Sequence, residues 1–109
     1  MLDMMTASAI WWEALVIKSF GDAQTREFWE SGKSRNAPPA NLRSAAKRKL
    51  QMVDSATKLD DLRVPPGNQL HALKADRHGQ HAIRINDQYR VCFTWKDSDA
   101  YDVEITDYH

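Results

Sequence analysis

The sequence predicts an α+β domain in which two N-terminal helices pack on a small antiparallel β-sheet. Two observations carry this prediction. Between residues 40 and 53 apolar residues recur every three or four positions, which is typical of a helix with one buried face. From residue 80 onward apolar and polar residues alternate, which is typical of strands in a half-buried sheet. Helices followed by consecutive strands with short connections indicate the α+β class.

The composition is that of one soluble domain. The chain has 109 residues, enough for a modest core of two packed layers, and 42% of them are hydrophobic. No stretch approaches the roughly 18 apolar residues of a membrane span, and Asp3 and Glu13 replace the basic start of a signal peptide. A single cysteine, Cys92, excludes an internal disulfide and is best explained as a small apolar residue in a strand. We therefore expect a cytoplasmic protein that does not contact a membrane.

The net charge of zero results from an uneven distribution. Fifteen basic residues balance fifteen acidic ones, but twelve of the basic and five of the acidic residues lie between Lys33 and Trp95. A basic middle with acidic ends suggests a surface that faces a polyanion, on a protein that need not bind nucleic acid indiscriminately. Charge runs are usually solvated, so this pattern alone is weak support.

The first elements have recognisable ends. Residues 16–20 are a short strand candidate, and Asp22 is a good N-cap for a helix that ends at Gly32. After two prolines, a second helix is predicted from residue 40 to about residue 53. Its outward residues include three cations, Arg43, Lys47 and Arg48. These cations have two interpretations: they make the helix soluble, or they contact RNA.

Four strand candidates follow a turn-rich connection at residues 63–68. They cover residues 69–73, 80–85, 89–95 and 101–107. A polar hairpin loop at residues 96–100 is predicted between the last two.

The register of the central hairpin can be predicted from its apolar residues. A three-residue loop at residues 86–88 pairs Ile85 with Tyr89 and Ile83 with Val91, which keeps the apolar set on one face. A two-residue loop would mix the faces. The three-residue loop is therefore predicted.

The same register places Arg84 opposite Arg90 on the other face of the sheet, where two like charges destabilise a pair. Such a pair is tolerated if the surface is open to water, or if an anion lies between the side chains, and the pair alone leaves both possibilities open. Lys74, Arg77 and three histidines come from the same stretch of chain and favour the anion.

The motifs of this stretch resemble those of a known family. The run RVPPGNQLHALKADRHGQHAIRINDQYRVCF at residues 63–93, the ending VEITDYH and the upstream VIKSF are similar to the HigB-type toxins of the RelE/ParE superfamily. The match covers residues 16–109, which we identify as a single RelE/ParE-like toxin domain. Two positions depart from the family pattern: Ala75 stands where many relatives have Gly, and Tyr89 where Trp is common.

Residues 1–15 form an N-terminal extension outside the resemblance. Val16 occupies the position of the family's initiating Met, so we expect the extension to arise from a GTG start codon translated as an internal valine. The alternative is a genuine added helix, with Trp11 and Trp12 packed on the domain. Mass spectrometry of the protein from its native source distinguishes the two.

RNA cleavage without a metal requires a base, an acid and cations that stabilise charge on phosphorus, and His, Lys, Arg and Tyr supply all of these. The resemblance implies catalytic roles for His71 and Lys74, for Arg90 as the phosphate-stabilising cation, and for Tyr108 and His109 as general acid/base partners. Taken alone, His71 is also explained as a half-buried strand histidine bonded to a backbone carbonyl.

Three further residues are expected to contact or tune the RNA site: Arg77, Arg84 and Asp107. Alternation along the last strand places Tyr108 on the face that carries Arg84, because Val103 and Ile105 point to the core. The histidines lack the flanking pattern of zinc ligands, so no metal and no other cofactor is expected.

The resemblance implies the toxin of a type II toxin–antitoxin system, an endoribonuclease that cleaves mRNA on the ribosome without a metal and so inhibits translation. The implied partners are the ribosome with its mRNA and a HigA-type antitoxin with a helix-turn-helix fold, through which alone the toxin would reach operator DNA. Two alternatives remain at this point: a toxin that inhibits DNA gyrase without cleaving nucleic acid, and a degenerate member that only binds its antitoxin.

Overall fold

Alternating apolar and polar residues produce the four-stranded antiparallel sheet on which this domain is built. The computed structural model describes residues 16–35 and 37–107, so the extension at residues 1–15 and the predicted site residues Tyr108 and His109 lie outside the described residues. The strands are β1 (His71–Ala72), β2 (Gln80–Arg84), β3 (Tyr89–Lys96) and β4 (Asp99–Asp107), and they lie side by side in chain order. Two α-helices occur among the described residues, α1 (Ala23–Ser31) and α2 (Arg43–Ser55). The predicted α+β class with an antiparallel sheet is confirmed.

The predicted register of the β2–β3 hairpin is confirmed. Ile83 pairs with Val91, and the Ile85 N–H donates to the Tyr89 carbonyl at 2.9 Å. The three-residue loop between them is organised by Asn86, whose side-chain oxygen accepts the Tyr89 N–H at 2.7 Å. Asn side chains commonly stabilise turns in this way.

The β3–β4 connection is shorter than predicted. Asp97 and Ser98 both have positive φ angles, 52° and 67°, and Lys96 pairs directly with Asp99. Two positive φ values in succession are the geometry of a tight two-residue hairpin turn, whose twist matches that of the flanking strands. Both strands therefore extend into the region predicted as a loop.

The predicted strand at residues 16–20 pairs with β4 in parallel, but only at two isolated bridges. The interruption lies at Asp102, which has a φ of 54° and sits where the register of β3 against β4 shifts. Its N–H donates to the Ser19 hydroxyl at 2.9 Å instead of joining a regular ladder. The bulge explains why pairing is present and a continuous strand is not.

β1 is also shorter than predicted, with two residues where the pattern indicated five. Gln69 has a φ of 48° at the end of the 3-10 turn Pro66–Asn68, so the chain enters the strand late. After Leu73 the chain turns again into the 3-10 segment Ala75–Arg77.

Both predicted ends of α1 are confirmed. The Asp22 carboxylate accepts the Thr25 N–H at 3.0 Å, and Gly32 closes the helix with a φ of 76°. Thr25 is buried, and its hydroxyl accepts the Ile105 N–H at 3.0 Å, which joins the helix to β4.

α2 packs its apolar side on the sheet and also buries a lysine. Lys49 donates to the buried Asn68 side-chain oxygen at 2.5 Å, and Asn68 donates in turn to the Leu62 carbonyl at 3.1 Å. Burial lowers the pKa of Lys49. This chain of hydrogen bonds ties the turn-rich connection before β1 to the helix.

The last turn of α2 also secures the start of the domain. The Asp54 carboxylate accepts the N–H groups of Val16 and Ile17 at 3.1 and 2.9 Å. Asp54 thus satisfies two partly buried donors at once.

The main core lies between the helices and one face of the sheet. Its sheet residues include Ile83, Ile85, Tyr89, Val91, Phe93, Val103 and Ile105. Among the described residues, no helix is long and apolar enough to cross a membrane.

Candidate functional site

The sheet face opposite the main core is called the open face here. On β2, β3 and β4 it carries Ala82, Arg84, Arg90, Cys92, Glu104 and Thr106, which alternate with the core residues. Two of these residues, Ala82 and Cys92, form a separate small apolar cluster with Leu73. Cys92 is fully buried, and burial raises the pKa of its thiol, so it acts as the small apolar residue that was predicted.

The open face brings the two predicted arginines together. Arg84 pairs directly with Arg90 in the register of the hairpin. Both guanidinium groups turn toward the hairpin loop: Arg84 contacts the Asp87 carboxylate at 2.5 Å, and Arg90 donates to the carbonyls of Asn86 and Tyr89. The Arg84 guanidinium lowers the pKa of Asp87. The loop therefore offsets part of the repulsion between two adjacent cations.

Asp107 lies at the same end of the sheet. It pairs with Tyr89 across β3 and β4, and its carboxylate accepts a hydrogen bond from the Gln88 side chain at 3.1 Å. Arg84, Arg90 and Asp107 thus lie at the hairpin end of the sheet, the two arginines on the open face and Asp107 on the same side as its partner Tyr89.

His71 and Lys74 line an open groove at the β1 edge of the sheet. Residues 71–77 form this groove, which has a volume of about 580 Å³. His71 pairs with Ala82, and its Nδ1 lies 2.8 Å from the Gln69 carbonyl oxygen. This contact fits the alternative interpretation of His71 as a strand histidine bonded to backbone. Lys74 is exposed at the rim.

Arg77 forms an ion pair that the sequence did not reveal. Its Nη2 lies 2.7 Å from a Glu104 carboxylate oxygen, and its Nη1 donates to the Gln80 side chain at 3.0 Å. The hydrogen bond to Glu104 raises the pKa of Arg77. A second open cavity of about 500 Å³ lies beside this pair and shares Asp76 and Arg77 with the first groove.

The backbone at Ala75 has a conformation that glycine would accommodate more easily. Ala75 has a φ of 55°, in the left-handed region that glycine occupies without steric cost. The turn that presents Lys74 is therefore formed here despite an unfavourable residue.

Within residues 16–35 and 37–107, no three His, Cys, Asp or Glu side chains lie close enough together to hold a metal ion. His81 lies on the core face, where its ring stacks on Phe93 at a centroid distance of 6.5 Å, and burial lowers its pKa.

Comparison with known proteins gives the family. Residues 18–109 match the profile of the RelE-like toxins of the type II toxin–antitoxin system HigB. The chain belongs to this HigB-like toxin family. Toxin HigB-1 of Vibrio cholerae is 38% identical over 81 residues, which are 74% of this chain and 85% of that relative. Endoribonuclease HigB of Proteus vulgaris is 32% identical over 94 residues, which are 86% of this chain and the whole of that relative.

The HigB-like fold also occurs in a more distant solved structure, the YoeB–YefM complex from Staphylococcus aureus. The matched chain has a TM-score of 0.54 and 16% sequence identity, over 85% of this chain and 97% of its own length. At this identity the likeness concerns the fold. The resemblance inferred from the sequence motifs is thus confirmed at the level of the family.

In this HigB-like toxin the predicted residues form two groups. Arg84, Arg90 and Asp107 lie at the hairpin end of the sheet, whereas His71, Lys74 and Arg77 lie at the β1 edge. Sequence reasoning missed the link between Arg77 and Glu104. Strand alternation does assign Glu104 to the open face, but a contact between residues 27 positions apart has no signal in spacing.

Proposed function

We propose that this HigB-like toxin is an endoribonuclease that cleaves mRNA on the ribosome and needs no metal ion. The observation that carries the proposal is the direct pairing of Arg84 with Arg90 on the open face, a site suited to a phosphate group. The relative from Proteus vulgaris bears the name endoribonuclease HigB, which supports the same reaction.

In the proposed reaction a base removes the 2′-OH proton and the 2′-oxygen bonds to phosphorus. The bond from phosphorus to the 5′-oxygen then breaks, and an acid protonates the departing oxygen. Arg90 stabilises the charge that develops on the phosphate. Tyr108 and His109 are the proposed acid/base partners, and Asp107 orients or tunes them.

His71 and Lys74 contribute from the groove at the β1 edge, His71 as a catalytic histidine and Lys74 as a cation. Arg84 contacts the RNA backbone beside Arg90. Arg77 lines the same groove, where Glu104 and Gln80 engage its terminal nitrogens.

The partners follow from the family and from the surface. The net charge is zero and the groove is short and open, so the ribosome, and not an extended RNA channel, is proposed to present the mRNA. Family membership supports an antitoxin partner. We propose a HigA-type antitoxin with a helix-turn-helix fold, and we propose that the toxin reaches operator DNA only through this antitoxin. The proposed compartment is the cytoplasm.

The test is to add the purified protein to a translation extract and to map the 5′ ends of the mRNA. We expect new 5′ ends in translated mRNA and none in the same mRNA without ribosomes. Cleavage should persist when phenanthroline removes transition metals while magnesium is held constant, so that the ribosome stays intact. Arrested translation with intact mRNA would overturn the nuclease proposal, and cleavage of free mRNA would overturn ribosome dependence.

A further inference from the structure

The ion pair between Arg77 and Glu104 connects two distant parts of the open face. Arg77 belongs to the 3-10 segment Ala75–Arg77 between β1 and β2, whereas Glu104 lies on β4, two strands away from β2. The side chains meet at 2.7 Å. Arg77 therefore reaches across the sheet.

The pair crosses the sheet above the small apolar cluster. Cys92 pairs with Ala82 on β2 and with Glu104 on β4. The charges of Arg77 and Glu104 both affect the pKa of the Cys92 thiol. The Thr106 hydroxyl lies 3.4 Å from the same Glu104 oxygen that Arg77 contacts. Glu104 therefore has a second, weaker contact on its own strand.

This ion pair differs from a typical surface pair. The side chains of Arg77 and Glu104 are 36% and 24% exposed. Arg63 and Asp60, three residues apart in sequence, form an ion pair at 3.0 Å, and their side chains are 66% and 72% exposed. Exposed ion pairs contribute little because water and salt screen them. A partly buried, charge-assisted contact fixes geometry more strongly.

The segment that Arg77 holds needs such a contact. Two backbone hydrogen bonds within the turn are local: the Arg77 N–H donates to the Lys74 carbonyl at 3.1 Å, and the His78 N–H donates to the Ala75 carbonyl at 3.0 Å. Ala75 adds the unfavourable φ of 55°. Through its side chain Arg77 joins this turn to Gln80 on β2 and, over a longer distance in sequence, to Glu104 on β4.

We propose that Glu104 is a positioning residue that acts through Arg77, holding the turn of residues 74–77 on the open face so that Lys74 stays at the RNA groove. The inference rests on the proposed RNA-cleaving function. It assigns Arg77 to positioning and not to direct contact with phosphate, because Glu104 and Gln80 engage both of its terminal nitrogens.

The experiment compares Glu104→Gln, Arg77→Gln and the double variant with Asp60→Asn as the matched control. Steady-state cleavage on programmed ribosomes should show kcat lowered about tenfold in each single variant, with KM changed less than about twofold. The double variant should lose no more than either single one, because both substitutions break the same contact. Asp60→Asn should cleave like the wild type.

Hydrogen exchange supplies a readout that does not depend on cleavage. The amides of residues 74–79 should exchange faster in Glu104→Gln than in the wild type, and their exchange rates in Asp60→Asn should equal those of the wild type. Antitoxin binding by all variants serves as the control for folding.

The outcomes separate the two proposals. If Arg77 touches RNA, Arg77→Gln raises KM while Glu104→Gln leaves KM unchanged or lowers it, and the positioning role is overturned. Unchanged exchange at residues 74–79 in Glu104→Gln also overturns it. If the wild-type protein cleaves no mRNA, the proposed function is overturned. If the wild-type protein cleaves mRNA and Glu104→Gln cleaves it equally fast, only the positioning role of Glu104 is overturned.

Discussion

Arg90 combines a structural contact with a proposed chemical one. Its guanidinium donates to the carbonyls of Asn86 and Tyr89 at the hairpin loop, and it stands opposite Arg84 in the sheet. The hydrogen bonds stabilise the loop, while the adjacent cation opposes folding. Removing the side chain should therefore affect cleavage far more than stability.

We predict that Arg90→Ala lowers the rate of mRNA cleavage roughly a hundredfold or more, because a charge-stabilising group is lost from the transition state. The melting temperature should change little, since relief of the repulsion with Arg84 offsets the lost hydrogen bonds. Cleavage rates and thermal unfolding are measured together, with Arg63→Ala as the exposed-arginine control. A large drop in melting temperature would identify Arg90 as mainly structural.

Asp54 illustrates how one carboxylate can secure a chain segment. It accepts two backbone N–H groups, from Val16 and Ile17, that residues 16–20 cannot satisfy by regular strand pairing. We predict that Asp54→Ala lowers the free energy of unfolding by about 1–3 kcal/mol, because partly buried donors lose their acceptor. Urea denaturation measures the change, and Asp60→Ala, which removes an exposed carboxylate, should cost clearly less. An equal loss of unfolding free energy in both variants would show that the Asp54 contacts contribute no more than an exposed carboxylate does.

At the scale of elements, the turn of the β3–β4 hairpin places two residues other than glycine at positive φ. Asp97 and Ser98 adopt φ angles of 52° and 67°, which suit Asn and Gly better. The double substitution Asp97→Asn, Ser98→Gly should stabilise the protein by roughly 0.5–1 kcal/mol, because Gly removes strain at a positive φ. Thermal unfolding measures the gain, with Ser98→Ala as the control that retains the strain. A lower melting temperature in the double variant would contradict the prediction.

At the scale of the molecule, the described residues of β4 already close the main core. β4 extends to Asp107, which pairs with Tyr89, and Val103 and Ile105 already fill the core. We predict that a chain ending at Asp107 folds and binds the antitoxin but no longer cleaves mRNA or arrests growth, because Tyr108 and His109 carry the proposed proton transfers. Circular dichroism, antitoxin binding and cleavage are measured on the same sample. Full toxicity in the truncated protein would exclude both residues from the mechanism.

Local rules predicted much of this molecule from its sequence. The hairpin register followed from keeping Ile85 and Tyr89 on one face, and both ends of α1 followed from Asp22 and Gly32. The bulge at Asp102 could not be predicted, because positive φ at an aspartate depends on tertiary contacts such as its hydrogen bond to Ser19.

The candidate site was predictable to a similar extent. The pairing of Arg84 with Arg90 follows from alternation together with the three-residue hairpin loop. The joining of Arg77 to Glu104 depends on how the turn folds over the sheet, which no local pattern encodes.

The way β4 is bordered has a consequence for behaviour at high concentration. A sheet edge with a row of unpaired amides is a template for intermolecular strand addition and fibrils. Along β4 the backbone of Ala100 and Val103 is bonded to residues 16–20, and two further amides donate to the hydroxyls of Ser19 and Thr25. The opposite border, β1, is only two residues long. Edge-to-edge aggregation therefore has little to start from on either side of the sheet.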